Sequence, residues 1–391
     1  MGISQRLIRI SLQLIFFTSA INFASIVVAQ GGNPQAQISV ITCDPGEELY
    51  SIYGHNAIRL KFNNGRDLVF NYGTFDFDTP NFALKFMQGK LPYRLSVSEY
   101  NSFIAEYNYF KRSVKEQVLH LDSTQTEAVI AYLSENLKPE NIEYKYDFFF
   151  DNCATRINDV ISAALENNVV WDIDHRSNKS FRAIIKEYQY VMPWTDFGID
   201  LIIGAKADQI TTLSQETFIP DYLYNHLDKA TIDQNPIVKE DLILLDFGQK
   251  RIEPVSIWIN ITSITFLLFL LAEVFLFFNA NKFEGSVWLE RYDKSCYIML
   301  ALAGSLMAFM WWGTDHIATK ENWNLLWAMP LWFFWTLNRE HNYVKIVNYV
   351  VTGILLITAL HAITGKILPQ YFHPAVAWIS IAMMFKINRT A

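Results

Sequence analysis

Across 391 residues the chain has only three cysteines, Cys43, Cys153 and Cys296, and it has no run of basic residues. Three thiols are too few for a disulfide-built scaffold. Lys and Arg number 32 against 39 Asp and Glu, a formal net charge of -7. Without a basic stripe, that balance argues against nucleic acid as a partner. Neither a phosphate-binding glycine loop nor a dinucleotide fingerprint occurs. The histidines of the amino-terminal part lack the close spacing of a zinc site. The sequence therefore asks for no metal and no cofactor.

Apolar residues make up 51% of the chain but are unevenly spread. Arg6 and Arg9 precede an apolar stretch from Ile10 to Val28, and Val27-Val28-Ala29 leads into polar Gln30-Gly31-Gly32-Asn33. That layout predicts a signal peptide over 1–29 cleaved after Ala29, with a retained signal anchor as the alternative. Either way the next segment is exported. Cys43 is a poor lipoprotein cysteine, because Gln30 to Gln37 separates it from the apolar region. Residues 30–253 read as one exported globular domain, and 254–391 as a membrane domain of about five spans. The spans are expected near Val255–Ala280, Ser295–Gly313, Trp323–Leu337, Ile346–Leu360 and Pro374–Phe385. Lys282, Arg291 and Lys294, then Arg339 and Lys345, then Lys386 and Arg389 mark the cytoplasmic segments, which leaves the exported domain outside and the carboxyl terminus inside. The intervening loops carry His316 and His373, which either sit at the interface as ordinary polar residues or line a site for lipid headgroups. Glu273 within the first span needs a partner, since a carboxylate in lipid is costly.

Within the exported domain, Ile38–Thr42, Ala57–Phe62 and Asp67–Gly73 alternate as strands, and Asn63-Asn64-Gly65 is a hairpin turn. Asp122 or Ser123 starts a helix running to Leu137. Asp151 or Asn152 caps another from Cys153 to Ala164. Cys153 then lies in the first turn, where unpaired N–H groups and the helix dipole favour a thiolate and can hold an oxyanion. His55 stands at the head of a strand about a hundred residues earlier. A thiol beside an imidazole is the minimum equipment for acyl transfer through a thioester. A Cys43–Cys153 disulfide is the competing use of that thiol, and Cys296 reads as an inert small hydrophobe.

A histidine strand followed by a cysteine helix is the papain-like arrangement in permuted chain order, since such sites are defined by geometry and role. The sequence resembles the permuted branch of the NlpC-type papain-like superfamily, which includes lecithin:retinol acyltransferase-like enzymes. Thr42-Cys43-Asp44-Pro45-Gly46-Glu47-Glu48-Leu49-Tyr50-Ser51, Tyr53-Gly54-His55-Asn56-Ala57-Ile58-Arg59, Phe70-Asn71-Tyr72-Gly73-Thr74-Phe75 and Phe149-Phe150-Asp151-Asn152-Cys153-Ala154-Thr155-Arg156 look more specifically like the Lnb-type lipoprotein N-acyltransferases of Bacteroidota. Asn322-Trp323-Asn324-Leu325-Leu326-Trp327-Ala328-Met329-Pro330-Leu331 fits the same family.

The resemblance implies an α+β fold with a permuted papain-like exported domain followed by an all-α transmembrane domain. It implies an inner-membrane enzyme that passes an acyl chain from a membrane phospholipid, through a Cys thioester, to the terminal amine of diacylglyceryl-cysteine lipoproteins. Cys153 would be the nucleophile and His55 its base. Asn71 would orient the imidazole, with Asp76 as the alternative. Asn152, Asp151, Tyr53, Tyr50, Arg59, His316 and Asn324 would support the site or bind substrate. Asp151 fits a capping role, and Arg59 and Arg156 fit phosphate binding or structural ion pairs. A cell-wall peptidase or amidase of NlpC type is the enzymatic alternative, and a non-catalytic lipid-binding receptor the other.

Overall fold

A computed structural model describes residues 36–48, 51–166, 168–171, 177–248, 256–337 and 343–389. The expected signal peptide 1–29, Tyr50 and Arg339 lie outside the described residues. In chain order the elements are β1 (Ala36–Cys43), β2 (His55–Phe62), β3 (Asp67–Thr74), α1 (Phe82–Gln88), β4 (Pro92–Glu99), α2 (Tyr100–Tyr109), β5 (Val114–Leu119), α3 (Ser123–Asn136), β6 (Glu143–Lys145), α4 (Cys153–Ala164) and β7 (Val169–Val170). There follow α5 (Phe181–Gln189), α6 (Pro193–Ile202), α7 (Leu213–Glu216), α8 (Pro220–Lys229), β8 (Thr231–Ile232), β9 (Asn235–Pro236) and β10 (Val238–Leu245). The last four helices are α9 (Ile261–Phe278), α10 (Val287–Trp312), α11 (Tyr343–Thr364) and α12 (Ala375–Arg389).

The chain divides into two compact units: 1–178 with 211–251, and 179–210 with 252–391. Residues 179–210 fall inside the 30–253 span read from sequence as the exported domain, yet they pack with the helical unit. The fold is α+β, sheet-rich in the first unit and helical in the second.

The first unit is built on a seven-stranded antiparallel sheet in the order β10-β5-β1-β2-β3-β4-β6. The β2–β3 hairpin closes over Asn63-Asn64-Gly65, with Gly65 at φ 90°. That positive φ suits a residue without Cβ. The amphipathic helix α4 lays Ala154, Ile157, Val160, Ile161 and Ala164 against the sheet, and each buried Ile stabilises by roughly 1.5–3 kcal/mol. α3 begins as the sequence predicts, with the Asp122 side chain accepting from Gln125 N and the Gln125 side chain accepting from Asp122 N.

In the second unit three helical stretches are long and apolar enough to cross a membrane: Ile261–Phe278, Val287–Trp312 and Ile346–Thr364. Of the five expected spans, these three have the length and hydropathy of a full straight crossing among the described residues. Helix α12 has 15 residues, about 22 Å of rise against the roughly 30 Å hydrocarbon core. The expected span at Trp323–Leu337 forms no α-helix. It makes two 3-10 segments, Trp323–Leu326 and Pro330–Thr336. Pro330 lacks an N–H and cannot continue a helix from the preceding turn. The broken backbone lies directly on α10, where a Cβ at Gly304 would come 1.9 Å from the Ala328 carbonyl oxygen.

Glu273, whose partner the sequence could not name, is fully buried between Lys386 Nζ at 2.7 Å, Arg389 Nη2 at 3.2 Å and the Tyr292 hydroxyl at 2.6 Å. Asp293 accepts from the same Lys386 and Arg389, both at 2.7 Å. Two acids and two bases thus neutralise one another across α9, α10 and α12, a structural use of the carboxylate.

Candidate active site

Cys153 opens α4 because Asn152 caps it. The Asn152 Oδ1 accepts from Ala154 N at 2.8 Å and Thr155 N at 3.0 Å, while Thr155 Oγ1 accepts from Asn152 N at 2.8 Å. Its Nδ2 donates to the carbonyls of Phe148 and Phe218, both at 2.8 Å. The amide therefore ties the helix start to two loops and holds Cys153 at their junction. His55 opens β2 immediately after Gly54, which sits at φ 83° and whose Cβ, if present, would lie 2.8 Å from the Cys43 carbonyl. Only glycine meets both demands at the entry to the histidine strand.

Cys153 and His55 line one pocket of about 90 Å³ with Tyr53, Tyr72, Gly73, Tyr146, Phe148, Asn152, Phe218 and Pro220. Asn71, buried on the neighbouring strand β3, places Oδ1 at 3.3 Å from His55 Nε2. The Asn71 Nδ2 donates to the Val69 carbonyl at 3.3 Å and to Ser98 Oγ at 3.4 Å. Those two donor bonds assign Oδ1 as the acceptor, so His55 carries its proton on Nε2 and leaves Nδ1 with a lone pair. Asp76, the alternative orienting residue, instead accepts from Asp78 N in an exposed turn.

Burial pushes the His55 imidazole down to about 4, opposed by the Asn71 bond and aided by Arg112. The base is neutral at physiological pH. Burial also raises the Cys153 thiol, against the pull of the Asn56, Ala154 and Cys153 backbone donors. The helix-start donors favour the thiolate as expected, but desolvation of the charged form outweighs them. The resting pair is a thiol beside a neutral imidazole. Burial keeps the Tyr146 phenol protonated as well.

The other sequence-singled residues divide clearly. Asn152 and Tyr53 line the pocket, the latter with its ring 4.8 Å from Phe148. Asp151 bonds to Arg156, whose Nη2 lies 2.7 Å from Oδ2, and this pair joins the helix start to its own first turn. Arg59 is buried, holding Asp67 at 2.6 Å and Glu116 at 2.9 Å with Tyr100 beneath its guanidinium at 3.4 Å. Its fork is spent on protein carboxylates, the structural ion pair of the two uses the sequence left open. Cys43 is buried and unbridged, so the Cys43–Cys153 disulfide is not formed. In the second unit, Asn324 Nδ2 donates to the Asp200 carbonyl at 3.0 Å and its Oδ1 accepts from Trp327 Nε1 at 2.9 Å, a fastening role. His316 precedes a 3-10 turn of that unit. Tyr146, Tyr72 and Phe218 received no role from sequence. Tyr72 follows Asn71 on the β3 strand and Tyr146 precedes the cysteine segment, whereas Phe218 carries no local signal that would bring it to Cys153.

Among the described residues, Asp196, Asp200 and His373 in the second unit bring three metal-capable atoms within 4.8 Å. Lys186 Nζ already bridges the two carboxylates at 2.7 Å each. His373 Nδ1 accepts from Ala375 N at 3.1 Å, which puts its proton on Nε2. That donor set suits an ammonium and does not fit a metal ion.

Residues 30–187 match the family described as Lnb N-terminal periplasmic domain, and residues 252–390 match the Lnb transmembrane domain. The chain belongs to the Lnb family. No curated protein and no solved structure matches it. As an Lnb-type protein it is a membrane protein with a periplasmic amino-terminal part, and its family fits a lipoprotein-processing enzyme.

Proposed function

We propose that the protein transfers an acyl chain from a membrane phospholipid to the amino terminus of diacylglyceryl-cysteine lipoproteins, with Cys153 as nucleophile. The observation that carries this reading is a half-buried cysteine at a helix start sharing one pocket with a neutral histidine oriented by Asn71, in a chain that also carries membrane-crossing helices. His55 Nδ1 takes the thiol proton as Sγ attacks the ester carbonyl. The S–C bond forms, the C–O bond breaks, and His55 returns the proton to the departing alkoxide, releasing a lysophospholipid. With the Ala154 and Thr155 N–H groups taken by the Asn152 cap, the backbone N–H groups of Cys153 and Asn56 are the donors at the sulfur that would meet the developing oxyanion. In the second half the neutral α-amine attacks the thioester, C–N forms as C–S breaks, and the amine proton returns to sulfur through His55.

A resting thiol suits this chemistry. A thiolate kept waiting in the periplasm would oxidise, whereas a neutral pair ionises as the ester arrives. The cysteine helix packed on a sheet that carries the His55 and Asn71 strands supports a permuted papain-like site. The basic loops of the membrane domain support an inner-membrane orientation with the carboxyl terminus in the cytoplasm.

The test is mass spectrometry of lipoprotein amino termini from cells with and without the protein, joined to incubation of the full-length protein with phospholipid and a diacylglyceryl lipopeptide. Added acyl mass that disappears with Cys153→Ala is the expected result. No acyl mass alongside cleavage of wall peptides would put a peptidase in its place.

A further inference from the structure

The pocket at Cys153 is too small for its proposed cargo. At about 90 Å³ it has room for a handful of water-sized groups, against roughly 300–1,000 Å³ for sites that enclose a whole ligand. It can hold an ester carbonyl and the first methylenes, and the rest of a long acyl chain must lie elsewhere. One wall of the pocket leads outward through a row of rings. Tyr146, which lines the pocket, stacks on Tyr93 at 4.2 Å between ring centroids. Tyr93 meets Phe75 at 5.2 Å, Phe75 meets Phe82 at 5.7 Å, and Phe82 stacks on Phe86 at 6.2 Å.

The row ends on α1, a helix that buries none of its residues. Phe77 is 52% exposed, Phe86 50%, Leu84 47% and Met87 45%. A soluble surface seldom gathers such side chains contiguously unless something covers them. Phe150 is an exposed ring outside any helix, and the exposed pair Tyr109 and Phe110 ends α2, a helix that buries Phe103 and Tyr107 in the core. The cover consistent with this chain is the bilayer. The protein is anchored to one by its own membrane-crossing helices, and Lys85 and Lys90 stand beside the apolar face where lipid phosphates would meet them.

We propose that residues 75–90 form an interfacial element that dips into the bilayer surface, and that the row Phe86-Phe82-Phe75-Tyr93-Tyr146 is the track along which the acyl chain lies between the membrane and Cys153. The track rests on the acyl-transfer reading above; the dipping of α1 stands without it.

The experiment uses the full-length protein in nanodiscs of phosphatidylethanolamine and phosphatidylglycerol. An environment-sensitive maleimide probe is placed at Phe86→Cys or, as a control in the β2–β3 turn, at Asn64→Cys, both in a Cys153→Ala background. Replacing the lipid by its acyl-brominated form should quench the Phe86 probe several-fold more than the Asn64 probe. Equal quenching overturns the membrane-dipping element. In the Cys153-containing protein, Phe77→Ser with Phe86→Ser should raise the KM for long-chain phospholipid about tenfold and leave thioester formation from a soluble short-chain ester unchanged. Equal loss on both substrates overturns the track and marks the rings as packing. If the wild-type protein forms the thioester but moves no acyl group to a lipopeptide, the lipoprotein reading fails while the probe result still decides the membrane contact.

Discussion

In the first unit the imidazole of His55 bonds to a neutral amide at 3.3 Å, and the Cys153 thiol is met by backbone donors. In the second, Glu273 and Asp293 are clasped by Lys386 and Arg389 at 2.7–3.2 Å. Both clusters are polar and poor in solvent, but they are built in opposite ways. The second is closed: each carboxylate has met its opposite charge, and a reacting group would have to break an ion pair to enter. The first is left open, because a neutral amide orients the histidine without consuming its lone pair. Buried chemistry and buried architecture are told apart here by what remains unspent.

Cys153→Ser should lower acyl transfer by at least about a thousandfold without moving the thermal midpoint, since it removes no packed volume. A midpoint shift comparable to the loss of activity would make Cys153 structural and erase the contrast. Lys386→Ala should do the reverse. Stripping one base from two buried acids costs roughly 3–5 kcal/mol, read as loss of monodisperse protein after detergent extraction. Pairing it with Glu273→Leu should recover part of that loss, and no recovery would mean the cluster is not charge-balanced as described.

Asn71→Ala is expected to slow turnover roughly tenfold, the worth of one buried hydrogen bond. The Asn71 bond favours protonated His55, so its loss should also move the acid limb of the rate profile downward. An unchanged limb would detach Asn71 from His55. The smallest effect is the profile of the intact enzyme. His55 must be neutral to accept the thiol proton, so kcat/KM should rise with pH through about 4 and stay flat to neutrality and above. A midpoint near the ordinary histidine value would show that the imidazole is solvated in the working enzyme.

Much of the site was readable in order along the chain. Asn63-Asn64-Gly65 turns as expected, Asp122 caps α3, and Asn152 caps the helix that Cys153 opens. These signals are local: a turn needs a positive φ, a cap needs a side-chain acceptor within three residues, and a strand needs alternation. The sequence by itself therefore determined the hairpin behind His55, the position of Cys153 in a first turn, and the presence of membrane helices. Only the tertiary structure decided how distant charges are spent. Arg59 meets Glu116 across 57 positions and Glu273 meets Arg389 across 116. It also assigned residues 179–210 to the helical unit and broke the apolar stretch at Pro330 into 3-10 turns against Gly304. Hydropathy records how apolar a segment is, whereas its backbone shape follows from what packs beside it. The thiol's charge was settled the same way: a helix start favours a thiolate, but burial by rings from Tyr146 to Phe218, which no local pattern reveals, reverses that preference.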